Sequence, residues 1–373
     1  MAATPQSGFL LLADLTGYTA YLARGEIEHA PTIAGDLLET VVGRLEPPLR
    51  LAKFEGDAAF MWMEDGRAEG SLLLDAVEAA YIAFRRRLRS IEQATSCDCN
   101  ACSQAPRLDL KFFLHHGTYV RTTIAGRDEL AGSSVIVVHR LLKGVAAEAA
   151  RGPDGRASGF VVLTETALDA VGMSGDALEA TAGSESIEHL GELVTFTIDL
   201  ESRWLTEAGR QRVDLDGDGR GVELATSITA PPAVVWAYLT SPKLRPTWEG
   251  PVVISEMAAD GRRGIGTMSQ CVTGRLATLE EIVDWQPFEH VGYRLSVPEV
   301  GPVDAAFDLV STGATTELRL RWVPIGQGAL DSTSAERIRA EKEAALVRLG
   351  RVAARNADRT LLEGEAAPAA VSG

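Results

Sequence analysis

The chain has 373 residues, 46% of them hydrophobic and 24% charged, an ordinary globular composition that excludes wholesale disorder; at roughly 100–200 residues per domain it has room for two domains or three. Its 52 acidic against 36 basic residues leave a net charge of −16, which opposes binding to nucleic acid or to an anionic membrane surface. No stretch reaches the roughly 18 uninterrupted apolar residues of a membrane span, and the N-terminus lacks a basic start before an apolar core, so a cytoplasmic location is expected.

Residues 9–19, FLLLADLTGYT, form an apolar run that ends on one carboxylate, Asp14, and is followed by a glycine turn. This is the pattern of a buried strand delivering a charge to its edge. Residues 30–45 predict a helix, with Pro31 in its first turn and Ile33, Leu37, Val41 and Leu45 recurring at i+4. Strands over 49–54 and 58–63 join through Glu55, Gly56 and Asp57, giving a hairpin with an acidic tip. A second helix covers 71–91, and Arg85, Arg86, Arg87 and Arg89 near its end read as a solvated basic face. Residues 108–117 and 119–125 read as a further hairpin, 134–147 as a helix, 165–171 as a short helix, and 160–163 and 193–200 as strands. The order β-α-β-β-α-β-β-α is that of an α+β sandwich on a ferredoxin-like core.

Residues 204–221 turn polar and glycine-rich and mark a linker between a first domain, 1–203, and a second, 222–362. Asp214, Asp216 and Asp218 there echo a calcium loop, but Ala225 stands at the twelfth position, so a polar linker is the expectation. A strand restarts at Val222, Pro231 and Pro232 open a helix, five or six strands follow, and 334–362 is a long charged helix. Residues 363–373 have a disordered composition.

Asp14 and Asp57 lie on elements that adjoin if the hairpin pairs with the first strand; together they suit Mg²⁺ (or Mn²⁺) bound with phosphate oxygens, or else each serves its own turn. Cys97, Cys99 and Cys102, in a loop at 96–104, supply three of the four ligands of a zinc site or are silent thiols.

The segments ADLTGYT (13–19), KFEGDAAFMW (53–62), LKFFLHHG (110–117) and AGSSVIVVHRLL (131–142) resemble the catalytic domain of class III adenylate/guanylate cyclases over the first 200 residues. The resemblance implies that Asp14 and Asp57 are the metal-binding aspartates, Lys53 and Glu129 the purine-reading positions, Arg140 the arginine that steadies the transferring phosphoryl group, and the protein a homodimer. Two departures stand out: Ile136 replaces the ribose-orienting asparagine, and Glu188, His189 and Leu190 replace the region of the triphosphate lysine. Their loss weakens the electrostatic stabilisation on which phosphoryl chemistry depends.

From Val222 onward, ITAPPAVVWAYLTSPKLRPTWEG (228–250), GIGTM (264–268) and VDWQPFEHVGYRL (283–295) resemble the SRPBCC superfamily, the START-like helix-grip fold, which implies a cavity for apolar ligands. Trp236, Tyr238, Trp248, Trp285, Tyr293, Phe307 and Trp322 are candidates for its walls, since such cavities favour aromatics. No acid/base pair stands out in this half; His290 and Glu289 are adjacent in a strand and point to opposite faces. The leading expectation is a signalling protein that binds a purine nucleotide with Mg²⁺ in one domain and a hydrophobic small molecule in the other. An active adenylate cyclase, and a scaffold joined to a lipid or polyketide carrier, are the alternatives.

Overall fold

Strand β1 (Pro5–Thr16) is buried from Gly8 through Leu15. Side chains alternate between the two faces of a strand, so an unbroken buried run means a sheet covered on both sides. The computed structural model describes residues 4–24, 30–94, 104–149, 159–209, 221–257, 262–274, 276–298, 300–325 and 332–357. The chain divides into two units, residues 1–210 and 211–373.

In the first unit β1 is followed by α1 (Tyr18–Arg24), α2 (Ala30–Leu45), β2 (Arg50–Glu55), β3 (Ala58–Glu64), α3 (Gly70–Ala94), β4 (Asp109–Ile124) and β5 (Arg127–Ala131). Next come α4 (Ser133–Leu141), α5 (Val145–Ala149), β6 (Phe160–Thr164), α6 (Glu165–Val171), β7 (Thr181–Ile187), β8 (Gly191–Asp199) and α7 (Leu200–Gly209). The sheet runs β2-β3-β1-β4-β6-β8-β7, with β5 paired to β4. Its first four strands are antiparallel neighbours in the order of a ferredoxin-like βαββαβ core, as expected. Leu10 and Leu12 of β1 pack with Phe60, Phe113, Val138 and Leu141, which seats α4 on one face of this sheet.

Three local expectations are corrected. Residues 108–125 are not a hairpin: β4 is one sixteen-residue strand. Gly117 is not a turn residue but a point of close approach, where an added Cβ would collide with the Ser134 hydroxyl of α4. The reversal comes instead at Ala125 and Gly126, both at positive φ, between β4 and β5. The helix expected over 134–147 breaks at Gly144, where the Glu185 carboxylate presses in and accepts hydrogen bonds from the Val145 and Ala146 N–H groups. The arginines of α3 are a solvated face only in part: Arg87 and Arg89 are exposed and Arg85 and Arg86 half-buried, and each has a partner. Arg85 reaches Glu201 and Asp109, Arg86 reaches Glu207, Arg87 reaches Asp36, and Arg89 lies over the Trp204 ring, so they fasten α3 to α2, β4 and α7.

Residues 204–209 continue α7, and Trp204 is buried. The cysteine loop, Asp214 to Asp218 and the C-terminal tail lie outside the described residues.

The second unit holds β9 (Val222–Ile228), α8 (Pro232–Thr240), α9 (Pro246–Glu249), β10 (Val253–Met257), β11 (Met268–Thr273), β12 (Leu276–Gln286), β13 (His290–Val297), β14 (Gly301–Ser311), β15 (Thr316–Pro324) and α10 (Ser332–Arg355). Every pairing in its sheet, β10-β11-β12-β13-β14-β15-β9, is antiparallel. The long helix α10 meets β9, α8 and α9, which is the helix-grip arrangement expected. Among the described residues no helix is long and apolar enough to cross a membrane.

Candidate functional site

In the first unit β1 carries Asp14 to the end of its buried run, where it stands opposite Ala58 on one side and Lys111 on the other. Asp57 occupies the two-residue turn between β2 and β3, with Gly56 at positive φ. The Leu15 N–H donates to the Asp57 carbonyl at 3.1 Å, tying that turn to β1. The two aspartates are therefore brought together. Burial raises the Asp14 carboxyl above its ordinary pKa, the charge and hydrogen bond of Lys111 oppose that rise, and the charge of Asp57 adds to it.

Lys111 was not singled out by the sequence, yet its Nζ lies 3.0 Å from Asp14 Oδ2, and neither side chain is much exposed. Among the described residues no group of three or more His, Cys, Asp or Glu side chains is placed to hold a metal. Two carboxylates still suit Mg²⁺, which takes one or two of them and fills its octahedron with water and phosphate oxygens. Asp14 and Asp57 fit that donor set, with the Lys111 ammonium as a competing cation on Asp14.

Lys53 sits at a β-bulge, where the pairing of β2 with β3 slips between Leu51 and Lys53. Bulges re-aim a side chain. Its ammonium donates to Glu129 Oε2 on β5 at 2.7 Å and lies 3.3 Å from Glu55 Oε1. The hydrogen bond to Glu129 is the main cause of a pKa above the ordinary lysine value. Glu55 in turn meets His139 Nε2 at 2.8 Å, and His139 Nδ1 faces the Val135 carbonyl at 2.7 Å. Lys53 and Glu129 are thus together, and Glu55 with His139 links them to α4. Arg140 is the next residue of α4 and is exposed, as is Ile136 one turn earlier. Pattern reading had no signal for Glu55 and His139 beyond their place in the motifs.

The second unit encloses a cavity of about 460 Å³ among β11 to β15, α9 and α10. Trp248, Tyr293, Phe307 and Trp322 line it. Trp236, Tyr238 and Trp285 do not. Trp236 is fully buried on α8, edge-on to Trp285 at 4.7 Å and near Phe288 at 6.1 Å. The Tyr238 hydroxyl accepts from Asn356 Nδ2 at 2.7 Å. These three belong to the core that α8 completes.

Arg245 forks onto Glu280 at 2.7 and 3.0 Å and donates through Nε to Glu249 at 2.6 Å, and all three residues line the cavity. Burial raises the Glu249 carboxyl above its ordinary value, against the opposing charge of Arg245. Burial also pushes the Cys271 thiol, in the same wall, up to about 12, so it is no thiolate nucleophile. His290 alternates to the face opposite Tyr293 and is held by Asp308 at 2.6 Å, with Asp284 at 3.5 Å and Arg321 bonded to Asp308 at 2.7 Å. This row of four strands was not read from the sequence, because its members lie far apart in the chain.

Residues 220–355 match the family described as polyketide cyclase / dehydrase and lipid transport, and residues 34–149 match a family described as a protein of unknown function, DUF2652. An uncharacterized Mycobacterium tuberculosis protein, Rv2561/Rv2562, is 34% identical over 164 residues, 44% of this chain and 72% of that protein. A bacterial light-regulated adenylyl cyclase is similar at a TM-score of 0.40 and 11% identity, over 54% of this chain and 53% of that one. The guanylyl cyclase Cya2 is similar at 0.39 and 15% identity, over 53% of this chain and 94% of that one. Both likenesses are distant, and the strand order and register above define the N-terminal fold without them.

Proposed function

The chain belongs to the same family as the Mycobacterium tuberculosis protein Rv2561/Rv2562 and carries an SRPBCC domain at its C-terminal end, and from that premise we propose that it is a sensor with two binding sites. The cyclase-like unit binds a purine nucleotide together with Mg²⁺ or Mn²⁺ and does not cyclise it; the SRPBCC unit binds an apolar small molecule. The observation that carries this reading is the setting of Asp14 and Asp57 at adjoining strand ends. Lys53 held by Glu129 supports the purine-reading role, and the loss of a ribose asparagine at Ile136 supports the absence of turnover. The cavity of about 460 Å³ supports apolar ligand binding, since it falls within the ordinary range for small-molecule sites.

Coupling between the sites is a linkage of binding energies: a cavity ligand that changes nucleotide affinity must have its own affinity changed by the same factor. A homodimer suits the exposed Arg140, which would then serve the aspartate pair of a second copy. Calorimetric titration with ATP and GTP, with Mg²⁺ and without, tests the reading, and Asp14→Ala should abolish the metal-dependent part. One observation favours a different reading, a scaffold joined to a lipid or polyketide carrier: Lys111 already neutralises Asp14. Nucleotide binding that is absent, or indifferent to Asp14→Ala, would favour it.

A further inference from the structure

His139 stands half-buried on α4 with an oxygen at each ring nitrogen: Nδ1 is 2.7 Å from the Val135 carbonyl, and Nε2 is 2.8 Å from Glu55 Oε2. A carbonyl and a carboxylate can only accept. A neutral imidazole carries one N–H, so it satisfies one of these oxygens and turns a lone pair to the other. Only the ring protonated on both nitrogens meets the two contacts together.

Charges then alternate along four side chains. Protonated His139 holds Oε2 of Glu55, whose Oε1 lies 3.3 Å from Lys53 Nζ, and Lys53 donates to Glu129 Oε2 at 2.7 Å. Loss of the proton sets a lone pair against Glu55 or Val135 and leaves two carboxylates on one ammonium. Glu55 has to shift, and Lys53, which it holds on one side, shifts with it. The neighbouring elements add other groups. Phe60 of β3 brings its ring to 4.9 Å from the imidazole. On β1, Asp14 shares a face with Leu12, opposite Phe60, and pairs with Lys111 of β4. Asp57 occupies the turn after Glu55. His115 of β4 meets Thr164 Oγ1 at 2.9 Å, and Glu185 of β7 accepts from the Val145 and Ala146 N–H groups. Arg140 and Lys143, which follow His139 in the chain, are exposed.

We infer that His139 is a positioning residue for the nucleotide site of the first unit, acting through Glu55 on Lys53 and Glu129, and that its proton makes nucleotide binding pH-dependent. Imidazole changes charge near neutral pH. Affinity is therefore highest on the acid side of neutrality and falls as pH rises, and nucleotide binding takes up protons by linkage. The inference rests on the reading that Lys53 and Glu129 meet the base of a bound purine nucleotide.

The test uses the full chain and His139→Gln, which keeps a donor for Glu55 and carries no titratable charge. Calorimetry with ATP and Mg²⁺ gives the wild-type-to-variant affinity ratio at pH 6.5 and at pH 8.5, in which the titration of the ligand itself cancels. That ratio should fall by about tenfold between the two pH values. A ratio that stays constant while both proteins bind overturns the inference and leaves the nucleotide reading standing. Nitrogen NMR of histidine-labelled wild type at pH 6.5 should show one ring, missing from the variant, protonated on both nitrogens; a neutral ring there overturns the inference as well. Where the variant does not fold, wild-type titrations at pH 7.5 in buffers of different ionisation enthalpy decide: proton uptake supports the inference, and none or a release overturns it. Absence of nucleotide binding by the wild type at either pH sinks the nucleotide reading itself, and the inference with it.

Discussion

Replacing Lys111 with Met removes the ammonium that sits 3.0 Å from Asp14 Oδ2 and keeps most of the aliphatic stem. Asp14 then remains a buried carboxylate with no counter-charge from β4, and its pKa, already raised by burial, rises further. Deleting one partner of a buried pair costs about 3–5 kcal/mol. For a unit of this size that lowers Tm by about 6–20 °C. A divalent cation bound by Asp14 and Asp57 would restore the lost charge, and a ligand at a hundredfold excess over its Kd stabilises by about 2.7 kcal/mol. Thermal melts of Lys111→Met should therefore recover by about 5–11 °C when Mg²⁺ and a non-hydrolysable ATP analogue are added. The wild type, in which Lys111 competes for Asp14, should gain less. Equal shifts in the two proteins, or none in either, would refute the assignment of a cation site to this pair.

Lys53→Met removes one charge-assisted hydrogen bond and should weaken ATP binding about tenfold or more while leaving inorganic tripolyphosphate unaffected, as read by calorimetry. Ile136→Asn is an exposed substitution that should leave Tm unchanged and tighten nucleotide binding; unaltered affinity would remove position 136 from the site. Two buried groups tilt stability with pH in opposite senses. Burial drives the His115 imidazole down to about 4, so its contribution is present above pH 6.5 and is lost as pH falls through 4. Burial drives the Asp109 carboxyl up to about 6, so its contribution is present below pH 3.8 and is lost as pH rises through 6. Denaturant titrations should show the wild type gaining about 3 kcal/mol on His115→Gln between pH 4 and 6.5, and losing about 3 kcal/mol against Asp109→Asn between pH 3.8 and 6. A difference from either variant that does not change with pH would contradict the corresponding assignment.

The parts of the fold that were legible in the sequence are those written in local pattern. The apolar run of β1 and the i+4 spacing of α2 each report on burial by a repeat within a few residues. The hairpin read over 108–125 is a single strand, and the glycine at 117 fits a tight turn and a close approach alike; only the position of Ser134 on α4 separates the two. The ion pairs of Arg85, Arg86 and Arg87 were not legible because their partners, Asp36, Asp109, Glu201 and Glu207, lie far away in the chain. The same distance hid Lys111 beside Asp14 and Glu280 beside Arg245. The aromatic cavity wall was half legible. Composition suggests a lined pocket, but nothing local distinguishes Phe307, which lines it, from Trp236, which packs against Trp285.

The central proposal is that the first unit, residues 1–210, holds a nucleotide through Asp14 and Asp57 without cyclising it. One experiment meets it directly: calorimetric titration of the full chain with ATP and GTP in Mg²⁺ and in Mn²⁺, with the same samples then assayed for cyclic nucleotide. Saturable, metal-dependent binding with no cyclic product is the expected result. Cyclic AMP in the samples, or no binding in either metal, would contradict the claim.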